Sequence, residues 1–446
     1  MSSSSSSKPS SEFTDSSTNE LELSSSSCSE FSEVDGKNEG KADGTPDFTA
    51  IFNVVMTAVG VGMLALSKAT ASVGCRVMAL HLGMEYVPAY EELGEAAFGK
   101  VGKTIVAICL HISLIGTSCV LILLLGQNSY HIYDGISVTW WVIIWTVILL
   151  PVNWLKTMRE IGYVSSTIGV ASIIVSVIGL SVAGFVQAAD NNGDVDYEIG
   201  VPQPITIIGA YTTFSFSYSV TCGTTTVVHD MRNPTHAPKV FFFAFATLVV
   251  VYAVVTCAAY LGWGQGLCYD NVLDAMRKDV WGYISFVSIV VLCATHYAVL
   301  LHPSCRAIEV LAGLEDGSPR AEKWGKWPTL VATCCLRSLL VVITAVIAIT
   351  VPNFSLLVDY LSAVTYTLVH LIFPPLFYMR LRYLMSRSYE NKELAKAEGN
   401  FGSKRATMRS LSLIFLMLVA LLGSALTLYK TVDPPATPEE CSLLSL

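Results

Sequence analysis

Two short stretches place unusual residue types in the middle of apolar runs. Gly60 and Gly62 stand near the centre of the run 48–74, and FSFSYSVTCG, residues 214–223, interrupts the run 204–228 with hydroxyl and aromatic side chains. Each glycine costs about 1 kcal/mol relative to alanine in a helix and permits local unwinding. Freed N–H groups at the start of a half-helix attract a carboxylate. The two stretches therefore predict non-covalent binding of a small charged solute.

Each stretch also has a second interpretation. The glycines could form a small-residue packing face, although GxG is less regular for that purpose than GxxxG. Ser215 and Ser217 could supply hydroxyls to a ligand, but serines in membrane helices usually bond to their own backbone. The residues alone leave both interpretations open.

The elements that must position these stretches are membrane-spanning helices. The chain has 446 residues, of which 52% are hydrophobic and 14% charged, and its mean hydropathy is +0.55. A bilayer core takes about 20 helical residues to cross. Ten apolar runs approach or exceed that length, at residues 48–74, 104–126, 138–155, 163–187, 204–228, 239–262, 280–302, 329–350, 354–378 and 408–428. The sequence thus predicts an all-α polytopic membrane protein.

The segments outside these runs fix a predicted orientation. Residues 1–47 are rich in serine and acidic residues and predict a disordered tail, because they lack the apolar content to offset chain entropy. One alternating set of loops carries eighteen Lys and Arg residues, whereas the opposite set carries three, Arg277, Lys278 and Lys430. Since the richer side is cytoplasmic, the C-terminal tail 431–446 is predicted on the non-cytoplasmic side.

The short segment between the first two apolar runs raises a problem with the number of times the chain crosses the membrane. A cytoplasmic N-terminal tail requires residues 75–87 to return the chain across the membrane. Thirteen helical residues reach only about 20 Å, a third short of the hydrocarbon core. The same segment would also place Arg76, His81 and Glu85 in the bilayer, where charged groups are costly. We therefore expect that one whole helix is absent from this chain, through a splice form, a gene-model error or a real deletion.

Six motifs in order carry a resemblance to a known family. They are FNVVMTAVGVGMLALSKATASVG, YEELGEAAFGKVGK, LLLGQN, FSFSYSVTCGTTTVVHDMRNPTHAPKV, YLGWGQGLCYDNVL and the long segment containing VPNF followed by PPLFY. Together they resemble the amino acid/auxin permease family, which includes vesicular, lysosomal and neutral amino acid transporters. The resemblance implies an inverted-repeat, LeuT-like fold over residues 48–430. It also implies eleven helices, of which the second is the one missing here, leaving about ten.

The resemblance also implies where substrate binds. Relatives unwind their first and sixth helices around the amino acid, so that backbone groups meet its carboxylate and amine and aromatic side chains set the pocket size. Carried onto this sequence, the predicted substrate-binding residues are Thr57, Gly60, Val61, Gly62, Phe214, Ser215, Phe216, Ser217 and Tyr218.

Ion coupling is predicted on the seventh apolar run, 280–302. Matching to sodium-coupled relatives puts Met56 and His296 at positions that help to ligate the ion, and Thr295, next to His296 in the sequence, is predicted with it. A thioether is a poor ligand for sodium, which prefers oxygen. His296 could instead carry a proton, because histidine titrates near neutrality. His111, His302 and His370 are rival candidates within spans, and His296 as a plain packing histidine is an equal alternative.

The function predicted is secondary active transport of small neutral amino acids by alternating access, coupled to protons more readily than to sodium. We find no zincin, P-loop or nucleophile-elbow motif, so we expect no enzyme, no metal or other cofactor and no nucleic-acid partner. The lipid bilayer is the expected surrounding, and the family implies a monomer in a plasma, vacuolar or lysosomal membrane. The alternative is an amino acid sensor or a transport-incompetent isoform.

Overall fold

The structure is a computed structural model, and its described part consists of helices joined by short connections. It describes residues 90–154, 158–191, 195, 197, 217, 237–264, 271–315, 317–351, 353–387 and 404–432, and no strand occurs among them. The helices are α1 Tyr90–Ile132, α2 Val138–Asn153, α3 Met158–Asp190, α4 Ala237–Trp263, α5 Val280–Ala312, α6 Pro319–Trp324, α7 Lys326–Thr350, α8 Phe354–Leu361, α9 Phe373–Arg387 and α10 Lys404–Val432. A 3₁₀ turn spans Val272–Ala275, and a π-helical segment, Ser362–Ile372, joins α8 to α9.

Eight of the ten predicted apolar runs lie along these helices, and the runs 48–74 and 204–228 lie outside the described residues apart from Ser217. Six helices in the described part are long and apolar enough to cross a membrane. They are Tyr90–Ile132, Ala171–Asp190, Val280–Ala312, Lys326–Thr350, Phe354–Leu384 and Ser410–Tyr429, and two shorter apolar helices are Val138–Asn153 and Val249–Trp263. The predicted all-α polytopic class is confirmed. The predicted tail 1–47 and the short segment 75–87 are outside the described residues.

The segment YEELGEAAFGKVGK, which precedes the second predicted run and is predicted from its charges as a cytoplasmic loop, is helical instead, so that prediction is wrong. Residues Tyr90 to Phe98 form a short helix that meets the rest of α1 at a kink, where Gly99 has φ 70° and ψ −161°. A side chain is rarely tolerated at such a φ, so glycine permits the bend. Lys103 and Glu95 form an ion pair across the kink at 2.7 Å. The apolar side of this short helix packs on the inner end of the chain's ninth predicted span, against Val369, Phe373 and Phe377.

The helix that contains the seventh run also extends further than the sequence predicts. The run stops at His302 by hydropathy, but α5 continues to Ala312, where Gly313 closes it in the left-handed conformation with φ 67°. Charged residues follow His302 and end the apolar run, yet Arg306 and Glu309 form an i,i+3 ion pair that supports the helix. Hydropathy therefore marks where the membrane core ends and not where the helix ends.

Small residues let α3 approach its two neighbours. Gly169, Ser172, Ser176 and Gly179 recur at helical spacing along α3, and Ser176 Oγ donates to Ser288 Oγ on α5 at 2.9 Å. On the other side, a Cβ at Gly184 would lie 2.4 Å from the Ala258 carbonyl oxygen of α4. Close backbone approach through small residues is the usual way in which membrane helices associate.

Lipid-facing surfaces are apolar, as expected for membrane helices. Along α7 the exposed large side chains recur one or two turns apart, at Trp327, Val331, Leu339, Val342 and Val346. The opposite side of α7 packs with α1 and α5 in the main core, which includes Leu123, Tyr297 and Val341. Such a helix, apolar on both sides, is stable in lipid and would be an aggregation liability in water.

Ion pairs at the predicted non-cytoplasmic side account for two of the three cations found there. Arg277 pairs with Asp190 at 2.7 Å, and Lys278 pairs with Asp134 at 2.9 Å. The hydrogen bond from Lys278 lowers the pKa of the Asp134 carboxyl and raises that of the lysine. Each cation thus meets a carboxylate at or near the end of a neighbouring helix.

Candidate functional site

Most of the predicted substrate-binding residues cannot be placed by the structure. Thr57, Gly60, Val61, Gly62, Phe214, Ser215, Phe216 and Tyr218 lie outside the described residues. Their assignment stays a prediction.

Ser217 is the described member of the predicted binding set. Its carbonyl oxygen accepts a hydrogen bond from the Tyr252 hydroxyl of α4 at 3.3 Å. Tyr252 is half-buried and lies on the fourth helix, 35 residues further along the chain. The contact fixes one peptide carbonyl in the middle of the run 204–228 to a tyrosine hydroxyl.

The two predicted ion-coupling residues lie side by side on α5, in the second half of its apolar run. Thr295 Oγ1 donates to the carbonyl oxygens of Val291 and Leu292 at 3.0 and 2.9 Å. It also faces α3, since a Cβ at Gly169 would lie 3.6 Å from Thr295 Oγ1. His296 is exposed. These contacts locate the two side chains but do not test their role in coupling, which stays a prediction.

An open groove of about 620 Å³ runs between α3 and α5, one turn from Thr295. Its walls are apolar, with Ile168, Ala171 and Val175 from α3 and Ile284, Val287 and Val291 from α5. Ser288, on the α5 wall, is engaged with Ser176 by the hydrogen bond described above. Walls of this composition suit an aliphatic chain, whereas the charged backbone of an amino acid needs polar partners from elsewhere.

A buried ion pair at the inner ends of three helices is the main polar feature that sequence reasoning missed. Arg337 of α7 and Glu309 of α5 are 0% and 2% exposed, and Arg337 Nε donates to Glu309 Oε1 at 2.5 Å. Arg337 Nη1 also donates to the Asn153 carbonyl oxygen at the end of α2, at 2.9 Å. On the other side, Arg306 donates to Glu309 Oε2 at 3.0 Å and to Glu315 at 3.2 Å.

This network joins α2, α5 and α7 and runs from the buried pair to the surface. The signal that could have found it is Arg337 itself, the only charged residue in the apolar run 329–350. An ionisable residue inside a membrane span nearly always has a partner within the protein. Its partner was hidden from the sequence because Glu309 lies beyond the predicted end of α5.

The rival histidines have different surroundings. His111 of α1 is half-buried, and its Nδ1 lies 3.2 Å from Ser304 Oγ of α5. His302 is 5% exposed and His370 is 2% exposed. Each of these three is therefore more buried than His296.

Comparison with known proteins decides the family. The model of the family described as transmembrane amino acid transporter protein matches residues 83–401, more than two thirds of the chain. The chain belongs to this family. It is a multi-pass membrane protein, and the predicted membership in the amino acid permease family is confirmed.

Relatives of this chain are plant and animal proteins of the same kind. It is similar to amino acid transporter AVT1D of Arabidopsis thaliana, with 25% identity over 66% of this chain and 53% of the relative, and to AVT1E of the same plant, with 27% identity over 66% and 55%. It is 24% identical to the human vesicular inhibitory amino acid transporter over 64% of this chain and 54% of that protein. The chain spans about half the length of these relatives.

Among solved structures, the chain is similar to the manganese transporter of Eremococcus coleocola. The TM-score is 0.47 at 14% sequence identity, and the match covers 89% of this chain and 84% of that one.

Proposed function

We propose that the chain is a secondary active transporter of small neutral amino acids that works by alternating access. The observation that carries the proposal is the family match over residues 83–401. The names of the relatives, which are amino acid transporters in plants and in humans, agree with it. A transporter of this kind binds and releases its substrate without covalent chemistry.

The substrate would sit between the two stretches that the sequence singles out. Gly60 and Gly62 would free N–H groups for the substrate carboxylate, and the carbonyls of residues 214–218 would meet its amine. The hydrogen bond from Tyr252 to the Ser217 carbonyl supports this arrangement, because a half-buried hydroxyl from α4 would hold that part of the chain in place.

Protons are the proposed driving ion. Met56 occupies a position where sodium-coupled relatives have an oxygen ligand, so sodium is the less favoured alternative. Thr295 and His296 are the residues predicted for coupling, with His111, His302 and His370 as rivals. We propose a monomer that works in the lipid of a plasma, vacuolar or lysosomal membrane.

Uptake into proteoliposomes tests the proposal. Purified full-length chain would be offered tritiated alanine, serine, proline or glutamine, with an imposed pH gradient, a sodium gradient or neither. Accumulation driven by the pH gradient supports proton-coupled transport, and accumulation driven only by sodium refutes the proton part. Saturable binding without accumulation or exchange would favour the alternative function, an amino acid sensor.

A further inference from the structure

The connection between α5 and α7 carries two exposed tryptophans among basic residues. Trp324 is 49% exposed and Trp327 is 78% exposed. Arg320, Lys323 and Lys326 are exposed beside them in the sequence. We call these five residues the inner corner, because the predicted orientation puts them on the cytoplasmic side of the membrane. The proposed transport function does not use them.

The inner corner lies at the level where the predicted membrane core begins. The apolar run of α7 starts at Thr329, and Ala321 of α6 lies eight residues earlier. In one continuous helix, Ala321 would be about 12 Å further from the core. Instead the chain bends at Gly325, which has φ 81° and ψ 172°, and Thr329 Oγ1 lies 3.5 Å from the Ala321 carbonyl oxygen. The bend therefore keeps α6 at the membrane surface, and α6 does not project into water.

Hydrogen bonds fix α6 to the end of α5. Ser318 Oγ, at the N-cap of α6, donates to the Gly313 carbonyl oxygen at 2.6 Å. Arg320 Nη1 donates to the Ala312 carbonyl oxygen. Leu311, next to Ala312, is 85% exposed, so an apolar surface adjoins the basic residues. The inner corner is thus carried on a backbone held by two membrane helices, which lowers the entropy lost on binding.

The basic residues of the inner corner outnumber the carboxylates around them. Among the residues that the structure describes, Lys323 and Lys326 form no ion pair, whereas Arg277 and Lys278 at the predicted non-cytoplasmic side each pair with a carboxylate. Glu322 is the one carboxylate within α6. Since residues two apart do not face each other on a helix, Glu322 projects from a different side of α6 than the arginine two residues before it. An external anion therefore meets an excess of positive charge here.

We propose that the inner corner binds the headgroup of an anionic phospholipid of the cytoplasmic leaflet. The ammonium groups of Lys323 and Lys326 contact the phosphate oxygens, as basic residues do at anionic membrane surfaces. The rings of Trp324 and Trp327 lie at headgroup level, the depth that tryptophan prefers because its ring is apolar and its N–H is polar. A free anion or an acidic peptide fits less well, because both rings and the Leu311 side chain would then remain in water.

Thermal unfolding of the delipidated full chain in detergent, with lipid added back, tests the binding. Phosphatidylserine is the anionic probe, and phosphatidylcholine with the same acyl chains is the neutral one. Inorganic phosphate and a glutamate-rich peptide stand for a free anion and an acidic protein partner. Phosphatidylserine should raise Tm in a saturable way, because a ligand that binds the folded chain stabilises it, and the other three should not.

A charge-removing double variant locates the binding on the inner corner. Lys323→Gln with Lys326→Gln should leave Tm without lipid nearly unchanged, because both side chains are exposed. It should raise the phosphatidylserine concentration for half-maximal stabilisation about thirtyfold, from the usual contribution of two lysines at an anionic surface. Lys100→Gln with Lys103→Gln is the matched control. It removes two cations from the same predicted side of the membrane, away from the two tryptophans, and should change that concentration less than about threefold.

Tryptophan fluorescence tests the position of the lipid directly. Bromine atoms on acyl chains quench tryptophans that they contact. Brominated phosphatidylserine should therefore quench the wild type more than brominated phosphatidylcholine does. Trp324→Phe with Trp327→Phe leaves six of the eight tryptophans and should abolish the difference between the two lipids.

Several results would overturn the inference. Equal stabilisation by phosphatidylserine and phosphatidylcholine would show that the headgroup charge is not recognised. Equal losses in the two lysine double variants would show a response to overall charge and not to this site. Stabilisation by inorganic phosphate or by the glutamate-rich peptide, without an effect of phosphatidylserine, would assign the surface to a soluble partner. These measurements need no transport, so their outcome is independent of the proposed function.

Discussion

Replacing Arg337 by methionine tests whether the buried ion pair holds the inner ends of α2, α5 and α7 together. The change leaves Glu309, 2% exposed, without its partner at 2.5 Å, and leaves the Asn153 carbonyl without its donor. Removing one partner of a buried pair costs about 3–5 kcal/mol, mostly because an uncompensated charge remains inside. Arg306 still reaches Glu309 at 3.0 Å, so we expect the lower part of that range.

The assay is thermal unfolding of the purified full chain in detergent, followed by size-exclusion chromatography of the heated samples. A change of 1 kcal/mol shifts the Tm of a 150–250-residue domain by about 2–4 °C, and less in a longer chain, so we expect Arg337→Met to lower Tm on the order of 5 °C. The double variant Arg337→Met with Glu309→Leu removes both charges and should recover most of that loss.

Arg306→Met is the matched control for this experiment. Its side chain is 40% exposed, and Glu309 keeps its partner Arg337 at 2.5 Å when Arg306 is removed, so Tm should fall less than in Arg337→Met. The reasoning is refuted if Arg337→Met unfolds at the wild-type temperature, or if the double variant is less stable than the single one.

Three further changes have expected outcomes. Gly184→Ala should lower Tm clearly, because its Cβ would lie 2.4 Å from the Ala258 carbonyl oxygen. Gly169→Ala should be tolerated, because its Cβ would lie 3.6 Å from its nearest neighbour. Equal Tm values for the two variants would contradict the close packing of α3 on α4. Tyr252→Phe should raise the KM for amino acid uptake and leave Tm nearly unchanged. An unchanged KM would show that the Ser217 contact does not contribute to substrate binding. Asp134→Asn should cost a little stability at neutral pH and low salt. Because the pKa of Asp134 is depressed in the folded protein, the stability difference between Asp134→Asn and the wild type should be lost as pH falls through this pKa. The difference should also vanish near 1 M salt. A stability difference that persists in acid would contradict the ion pair.

Sequence predicted the membrane spans well because the physical requirement for them is simple. A helix must present about 20 apolar residues to cross the bilayer, and hydropathy measures that property directly. Thus eight predicted runs lie along described helices. The ends of helices depend on other features, such as the bend at Gly99 and the Arg306–Glu309 ion pair. Hydropathy does not detect the bend, and it shows the ion pair only as two charged residues.

Features that depend on contacts across the fold escaped the sequence. Arg337 was visible as a charge in an apolar run, but its partner Glu309 is 28 residues away and lies outside the predicted span. The π-helical segment is defined by backbone hydrogen bonds that composition does not reveal.

The central claim is that two interrupted helices hold an amino acid between them near the middle of the membrane. An experimental structure of the full chain in lipid nanodiscs, determined with the amino acid it exchanges, tests this most directly. The account predicts unwound backbone at Gly60 to Gly62 and at residues 214–218, with substrate density between the two. Continuous hydrogen-bonded helices through both stretches, with no cavity and no density between them, would contradict it.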